Sequence, residues 1–118
     1  MGRKECQELQ EILYPLSEKT KKALNQIKKY DYNFTSDIFN ALADPTRIRI
    51  IEALGVGELC VCVLVDMTGL KNSTLSYHLK NLKETDIISF RKDGTFLIYY
   101  LTPRGKAVNE FIGKSQKL

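Results

Sequence analysis

The chain has one histidine, no phosphate-cradling glycine loop and no nucleophile–base constellation. Nothing remains on which an enzyme mechanism could be built. No apolar run approaches the roughly 20 residues that a membrane-spanning helix needs, so no membrane partner is expected. The opening Met1-Gly2-Arg3-Lys4-Glu5-Cys6 leads into charged residues and not into an apolar stretch, which argues against a signal peptide and for the cytoplasm. Three cysteines are an odd number and argue against a disulfide framework, yet three is the number one trithiolate metal site needs. Repeats, linkers and low-complexity tracts are missing too. A chain of 118 residues is enough for one domain with one modest core.

What is present is concentrated in two neighbouring runs. Glu58-Leu59-Cys60-Val61-Cys62 sets two thiols among small apolar residues, the composition of a soft-metal or redox sensor. A few residues on, after a Thr68-Gly69 turn, Asn72-Ser73-Thr74-Leu75-Ser76-Tyr77-His78-Leu79 has the polar-studded pattern of a DNA-reading helix. A sensor beside a reader implies a metal-regulated transcription factor. The charge pattern agrees. Residues 31–70 carry two basic and six acidic side chains, whereas residues 71–93 carry five basic and three acidic. The positive block coincides with the reading helix, where it would attract a polyanion, although a solvated lysine-rich surface has the same composition.

Apolar periodicity supplies the framework. Leu9, Ile12, Leu13 and Leu16, then Ala23, Leu24 and Ile27, fall at helical spacings, and Pro15 must kink or divide the segment, with Ser17 free to cap its second half. This arm, residues 1–34, is expected to serve dimerisation and to offer a metal ligand. Residues 35–118 are expected to form the DNA-binding domain. A helix is predicted from about Ser36 to Ala43 with Ile38, Phe39 and Leu42 inward. Asp44-Pro45 reads as an N-cap and first helical residue of a helix that stops at Gly55. Leu59 to Met67 is predicted as a short helix ending at Thr68-Gly69. Asn72 or Ser73 caps the next helix, which has an inward Leu75, Leu79, Leu82 stripe. Ile88 to Phe90, an Asp93-Gly94 turn and Phe96 to Leu101 read as a β-hairpin. Thr102-Pro103 opens a last helix with Ala107, Val108, Phe111 and Ile112 on its apolar side. The sum is a mainly α fold with a β-hairpin wing: a winged helix-turn-helix with additional terminal helices.

The thiols and the helix define the candidate sites. On a regular helix Cys60 and Cys62 point about 200° apart, so they converge only at a helix N-terminus, where the dipole also lowers thiol pKa values. The bland reading makes both of them small buried hydrophobes. With the leucines inward, Thr74, Ser76, Tyr77, His78 and Lys80 are left for the groove or its walls, and Asn72 and Ser73 lie at the end that approaches bases. For His78 a DNA contact competes with a satisfied helix histidine. Arg91 and Lys92 on the hairpin, with Lys71, Lys80 and Lys83, are phosphate-contact candidates that position without specifying sequence.

Three stretches resemble the ArsR/SmtB family of metalloregulatory repressors: Ala41-Leu42-Ala43-Asp44-Pro45-Thr46-Arg47, Glu58-Leu59-Cys60-Val61-Cys62, and Ser73-Thr74-Leu75-Ser76-Tyr77-His78-Leu79-Lys80-Asn81-Leu82. The wing, Phe90-Arg91-Lys92-Asp93-Gly94 with Tyr99-Tyr100-Leu101, is similar as well. The resemblance implies a cytoplasmic homodimer that binds double-stranded operator DNA when metal-free. It would leave the operator when a thiophilic ion such as Cd, Pb or As(III) binds as effector, and no metal would be needed for folding. In the arsenic branch the second cysteine is typically followed by Asp, with a third cysteine three residues beyond the second; here Val63 and Val65 stand there. In the cadmium/lead branch the N-terminal arm typically supplies two thiolates, and this arm has Cys6 alone. The resemblance thus implies a metal set of Cys6, Cys60 and Cys62. The family's other metal site needs His on the last helix, where residues 103–114 offer Glu110 and no His. A redox-sensing DNA binder using the same thiols, and a winged-helix protein-interaction module with structural cysteines, are the competing functions.

Overall fold

Caps and breakers in the sequence set most of the element boundaries. The computed structural model describes residues 2–117 as two units, one ending at Tyr32 and the other beginning at Asn33. In the first unit, α1 (Arg3–Leu13) and α2 (Glu18–Lys29) are separated at Pro15, and the Ser17 hydroxyl caps α2 by accepting from the Thr20 amide at 3.2 Å. Neither helix buries a residue. No described helix is long and apolar enough to cross a membrane.

The second unit is a winged helix-turn-helix. Its elements are α3 (Asn33–Leu42), α4 (Pro45–Val56), β1 (Leu59–Cys60), α5 (Val61–Thr68), α6 (Asn72–Glu84), β2 (Ile88–Asp93), β3 (Phe96–Leu101) and α7 (Pro103–Lys117). Asp44 caps α4, its Oδ1 accepting from the amides of Thr46 (2.8 Å) and Arg47 (3.2 Å). Burial alone would raise the Asp44 carboxyl, but these amides, with His78 and Arg47 nearby, lower it overall. Thr102 caps α7 by accepting from the Gly105 amide at 3.1 Å, and its hydroxyl also faces the carbonyls of Asp86 (2.6 Å) and Ile87 (3.0 Å). The largest fully buried side chains of the core are Ile50, Ile51, Leu64, Leu75, Leu82, Ile87 and Ile88, each contributing about 1.5–3 kcal/mol by leaving water. The core therefore draws on α4, α5, α6 and the base of the wing, and it fixes the reading helix against them.

Several local expectations are corrected. The third helix begins at Asn33, and Phe39 is 67% exposed because the buried line runs through Ile38, Ala41 and Leu42. α4 passes through Gly55 to Val56 and ends at Gly57. Leu59 and Cys60 are strand, and the helix starts after them; an apolar run without period does not separate the two. Neither Asn72 nor Ser73 caps α6: Lys71 occupies the N-cap, with no side-chain hydrogen bond. Asp93 pairs with Phe96, so the hairpin turn is Gly94-Thr95, and the positive φ of 62° at its first central residue is one glycine accepts without strain. On α7, Gly105, Val108 and Ile112 face inward, whereas Ala107 is exposed and Phe111 is 70% exposed.

Candidate thiolate site and nucleic-acid interface

The cysteine box lies where a strand becomes a helix. Leu59 and Cys60 form the edge of a three-stranded antiparallel sheet of order β1-β3-β2, paired with Tyr99 and Ile98 respectively. Cys60 then turns as the N-cap of α5, and Cys62 is in that helix's first turn. At this uncommitted helix end the two sulfurs converge to 2.8 Å, the Cys62 thiol donating to Cys60 Sγ. That donation, with the amide of Cys62 and then those of Val63 and Val61, holds Cys60 below the ordinary thiol range. Cys62 is raised, first because it gives its proton to that bond and then by burial and by the neighbouring Cys60 charge. Of the two, Cys60 is thus the thiol that gives up its proton more readily.

Neither sulfur is a packing hydrophobe: Cys62 is exposed, Cys60 is half-buried, and both are free thiols. A close, accessible pair of soft donors fits a thiophilic ion, whose binding would release their thiol protons. No cluster of three or more His, Cys, Asp or Glu side chains forms among the described residues, so the box alone provides two donors. Cys6 is exposed on α1, in the other unit.

The reading helix presents one polar face. Lys71, Asn72, Ser73, Thr74, Ser76 and Lys80 are exposed, as is Tyr77 at 62%, while Leu75, Leu79 and Leu82 are buried as their spacing required. Lys80 makes an exposed ion pair with Glu84 at 4.0 Å. His78 is the correction. It is 9% exposed and accepts a 3.1 Å hydrogen bond from Arg47 Nε at its Nδ1. It falls three residues after Leu75 and one before Leu79, within the same inward stripe, so helical spacing carried the signal. Its place in the structure is that of a satisfied histidine joining α6 to α4.

Two residues that brace the candidate surfaces were missed by the sequence reading. Arg47, 8% exposed, holds His78 and also packs over the ring of the exposed Tyr77 at 5.6 Å. Glu58, read only as the start of the cysteine box, pairs with Arg91 of the wing at 2.8 Å. The hydrogen bond from Arg91 holds the Glu58 carboxyl below its usual range and raises the guanidinium in turn. Arg91 and Lys92 are both exposed on β2. A second wing contact reaches α6, where the Lys83 ammonium sits 4.8 Å from the centre of the Phe90 ring.

Comparison with known proteins identifies relatives of this arrangement. The sequence profile described as bacterial regulatory protein, arsR family, matches residues 44–89. A cadmium resistance transcriptional regulatory protein, the CadC homolog of Staphylococcus aureus, is 35% identical over 91 residues, covering 76% of this chain and 74% of that protein. The arsenical resistance operon repressor of Staphylococcus xylosus is 37% identical over 70 residues, covering 59% of this chain and 67% of that protein. Among solved structures, the homodimeric winged helix-turn-helix DNA-binding domain Mb0332 from Mycobacterium bovis superposes with a TM-score of 0.61 at 25% identity, over 88% of this chain and 87% of that one.

Proposed function

Because the chain belongs to the arsR family of bacterial regulatory proteins, we propose that it is a metal-responsive repressor: a homodimer that binds operator DNA and dissociates when a thiophilic ion such as Cd, Pb or As(III) binds its cysteines. The observation that carries this reading is the Cys60–Cys62 pair, two sulfurs 2.8 Å apart at a helix N-cap and built into the wing's own sheet. Cys60 and Cys62 hold the ion, and Cys6 of the arm provides the third thiolate. The ion would supply Lewis acidity toward thiolate; the chain's part is to bring two soft donors together and to hold the Cys60 thiol below its ordinary range.

On the DNA side, Asn72, Ser73, Thr74, Ser76 and Tyr77 face the bases, and Lys71, Lys80, Arg91 and Lys92 contact phosphates. The first unit, ending at Tyr32, acts as the dimerisation arm. Phe34, Phe39, Val56 and Phe111 are exposed apolar residues of the second unit, which supports a second copy as their partner, as in the homodimeric relative. A thiol-oxidation signal at the same pair is the competing reading, favoured by the closeness of the two sulfurs.

The test is a titration of reduced protein with cadmium(II), lead(II) and arsenite, following thiolate-to-metal absorbance and operator release together. Wild type should lose operator affinity by about 5–150-fold on metal binding. The Cys60→Ser/Cys62→Ser protein should bind operator when metal-free and keep it when metal is added. Full metal response in that double variant would sink the metal reading, and release only on oxidation would transfer the pair to redox sensing. A Cys6→Ser protein that responds fully would confine the site to the box.

A further inference from the structure

The register of the wing sheet places the cysteine box and the DNA-facing wing in common rows. Ile98 is the cross-strand partner of Cys60 on one side and of Arg91 on the other, so Cys60, Ile98 and Arg91 form one row. Leu59, Tyr99 and Phe90 form the next, where the Phe90 and Tyr99 rings touch at 5.6 Å and Lys83 of α6 lies over Phe90. Glu58 precedes both rows and closes them from outside, its carboxylate 2.8 Å from the Arg91 guanidinium. We propose that Glu58 is the coupling residue of this regulator. Its ion pair with Arg91 holds the wing to β1 in the DNA-binding pose, and effector capture at Cys60 and Cys62 acts on DNA by disturbing that tie. This rests on the metal-sensing reading above.

The sulfurs provide the mechanical step. They stand 2.8 Å apart, the Cys62 thiol directed at Cys60 Sγ. Two thiolates on one ion, at roughly 2.3 Å per bond and near-tetrahedral angles, must stand almost 4 Å apart. With an ion bound, each thiol would have released its proton to solvent, and the sulfurs would have to separate by about 1 Å. Cys62 is committed to the helical backbone of α5, whereas Cys60 is an N-cap on a two-residue edge strand, so Cys60 is the one that yields. Any shift there is felt at Ile98 through the ladder and at Glu58 through the chain. Both meet Arg91. An exposed ion pair is a weak brace, which suits a contact that must be released.

The experiment compares wild type with Glu58→Gln, a surface change of nearly equal volume that keeps hydrogen bonding and removes the charge. Cadmium(II) is titrated while thiolate-to-metal absorbance is read, and operator affinity is measured with and without the metal. The quantity of interest is the ratio of the two affinities, because the general effect of one lost negative charge on DNA binding cancels in it. Absorbance in the variant should match wild type, while the ratio should fall by up to about 5-fold, the most an exposed ion pair carries. The Glu58→Gln/Arg91→Ala protein should show no further loss of ratio than Glu58→Gln, the non-additivity of two residues acting as one. A Glu58→Gln ratio equal to wild type overturns the coupling and leaves the metal-sensing reading intact. Loss of the absorbance band in the variant also overturns it, since Glu58 would then shape the metal site itself. A wild-type protein that binds cadmium without changing its operator affinity removes the metal-sensing reading, and the coupling with it.

Discussion

The reading helix and the cysteine strand lie a dozen residues apart and are built to opposite standards. α6 buries Leu75, Leu79 and Leu82, and its histidine is fastened to α4 by Arg47. β1 has two half-buried residues, a single ladder partner and an exposed ion pair beside it. The free energy of local opening follows buried apolar contact and protected hydrogen bonds. The recognition helix of this DNA-binding fold is therefore firm, and the strand that carries the candidate thiolate site is free to yield. Under the proposed function this difference is needed: a regulator equally firm in both places would bind its effector without reporting it.

The most direct way to break the comparison is to truncate one leucine in each element. Leu79→Ala, at a position 2% exposed, should cost about 3 kcal/mol in denaturant unfolding, with the usual range about 2–5. Leu59→Ala, only half-buried, should cost about half as much, close to the transfer term alone. Equal costs would mean that the strand is as firmly seated as the helix.

Next in size is Arg47→Ala, expected to destabilise by about 2 kcal/mol because it leaves the buried His78 Nδ1 without its donor. Metal binding at the cysteines should be unchanged, and operator affinity should fall through loss of support for Tyr77, so the absorbance titration and DNA binding separate here. A variant with wild-type stability and weakened metal binding would place Arg47 on the sensing side instead.

The smallest effect sharpens the firm side of the comparison. Asp44→Ala should cost about 1 kcal/mol as a lost N-cap. Since the folded carboxyl is lowered, its stabilisation is complete above the ordinary carboxylate range and is lost as pH falls through the folded value. Unfolding curves of wild type and variant should accordingly converge below about pH 4 and stay apart at neutral pH. A difference that persists undiminished in acid would rule out the charged cap.

Much of the firm half was legible in the sequence because it is written in local signals. Asp44-Pro45, Ser17 and Thr102-Pro103 announce their helices through single side chains that meet orphan amides, and the three leucines of α6 announce their face by spacing. The yielding half was less legible. Leu59 and Cys60 are strand only because Tyr99 and Ile98, some forty residues on, offer a ladder, and no local pattern records that. Glu58 was unreadable for the same reason, its meaning lying in an arginine on another strand. His78 differs, since its spacing did carry the answer and its chemistry drew attention away from it. The convergence of the thiols at a helix start followed from geometry alone, as a regular helix forbids it elsewhere.

Gly105 gives the molecule one place where its sequence cannot drift. A side chain there would fall on the backbone oxygen of Ile87, an atom with no freedom to move aside, at the point where the wing leaves the reading helix. Its neighbour Lys106 is exposed, whereas Arg104 reaches back to the Thr85 carbonyl at 3.2 Å and to the Asp86 carboxylate at 3.3 Å. The position is silent in chemistry, touching neither ion nor base. Over evolutionary time it should nonetheless be more strictly inherited than many of the residues that do.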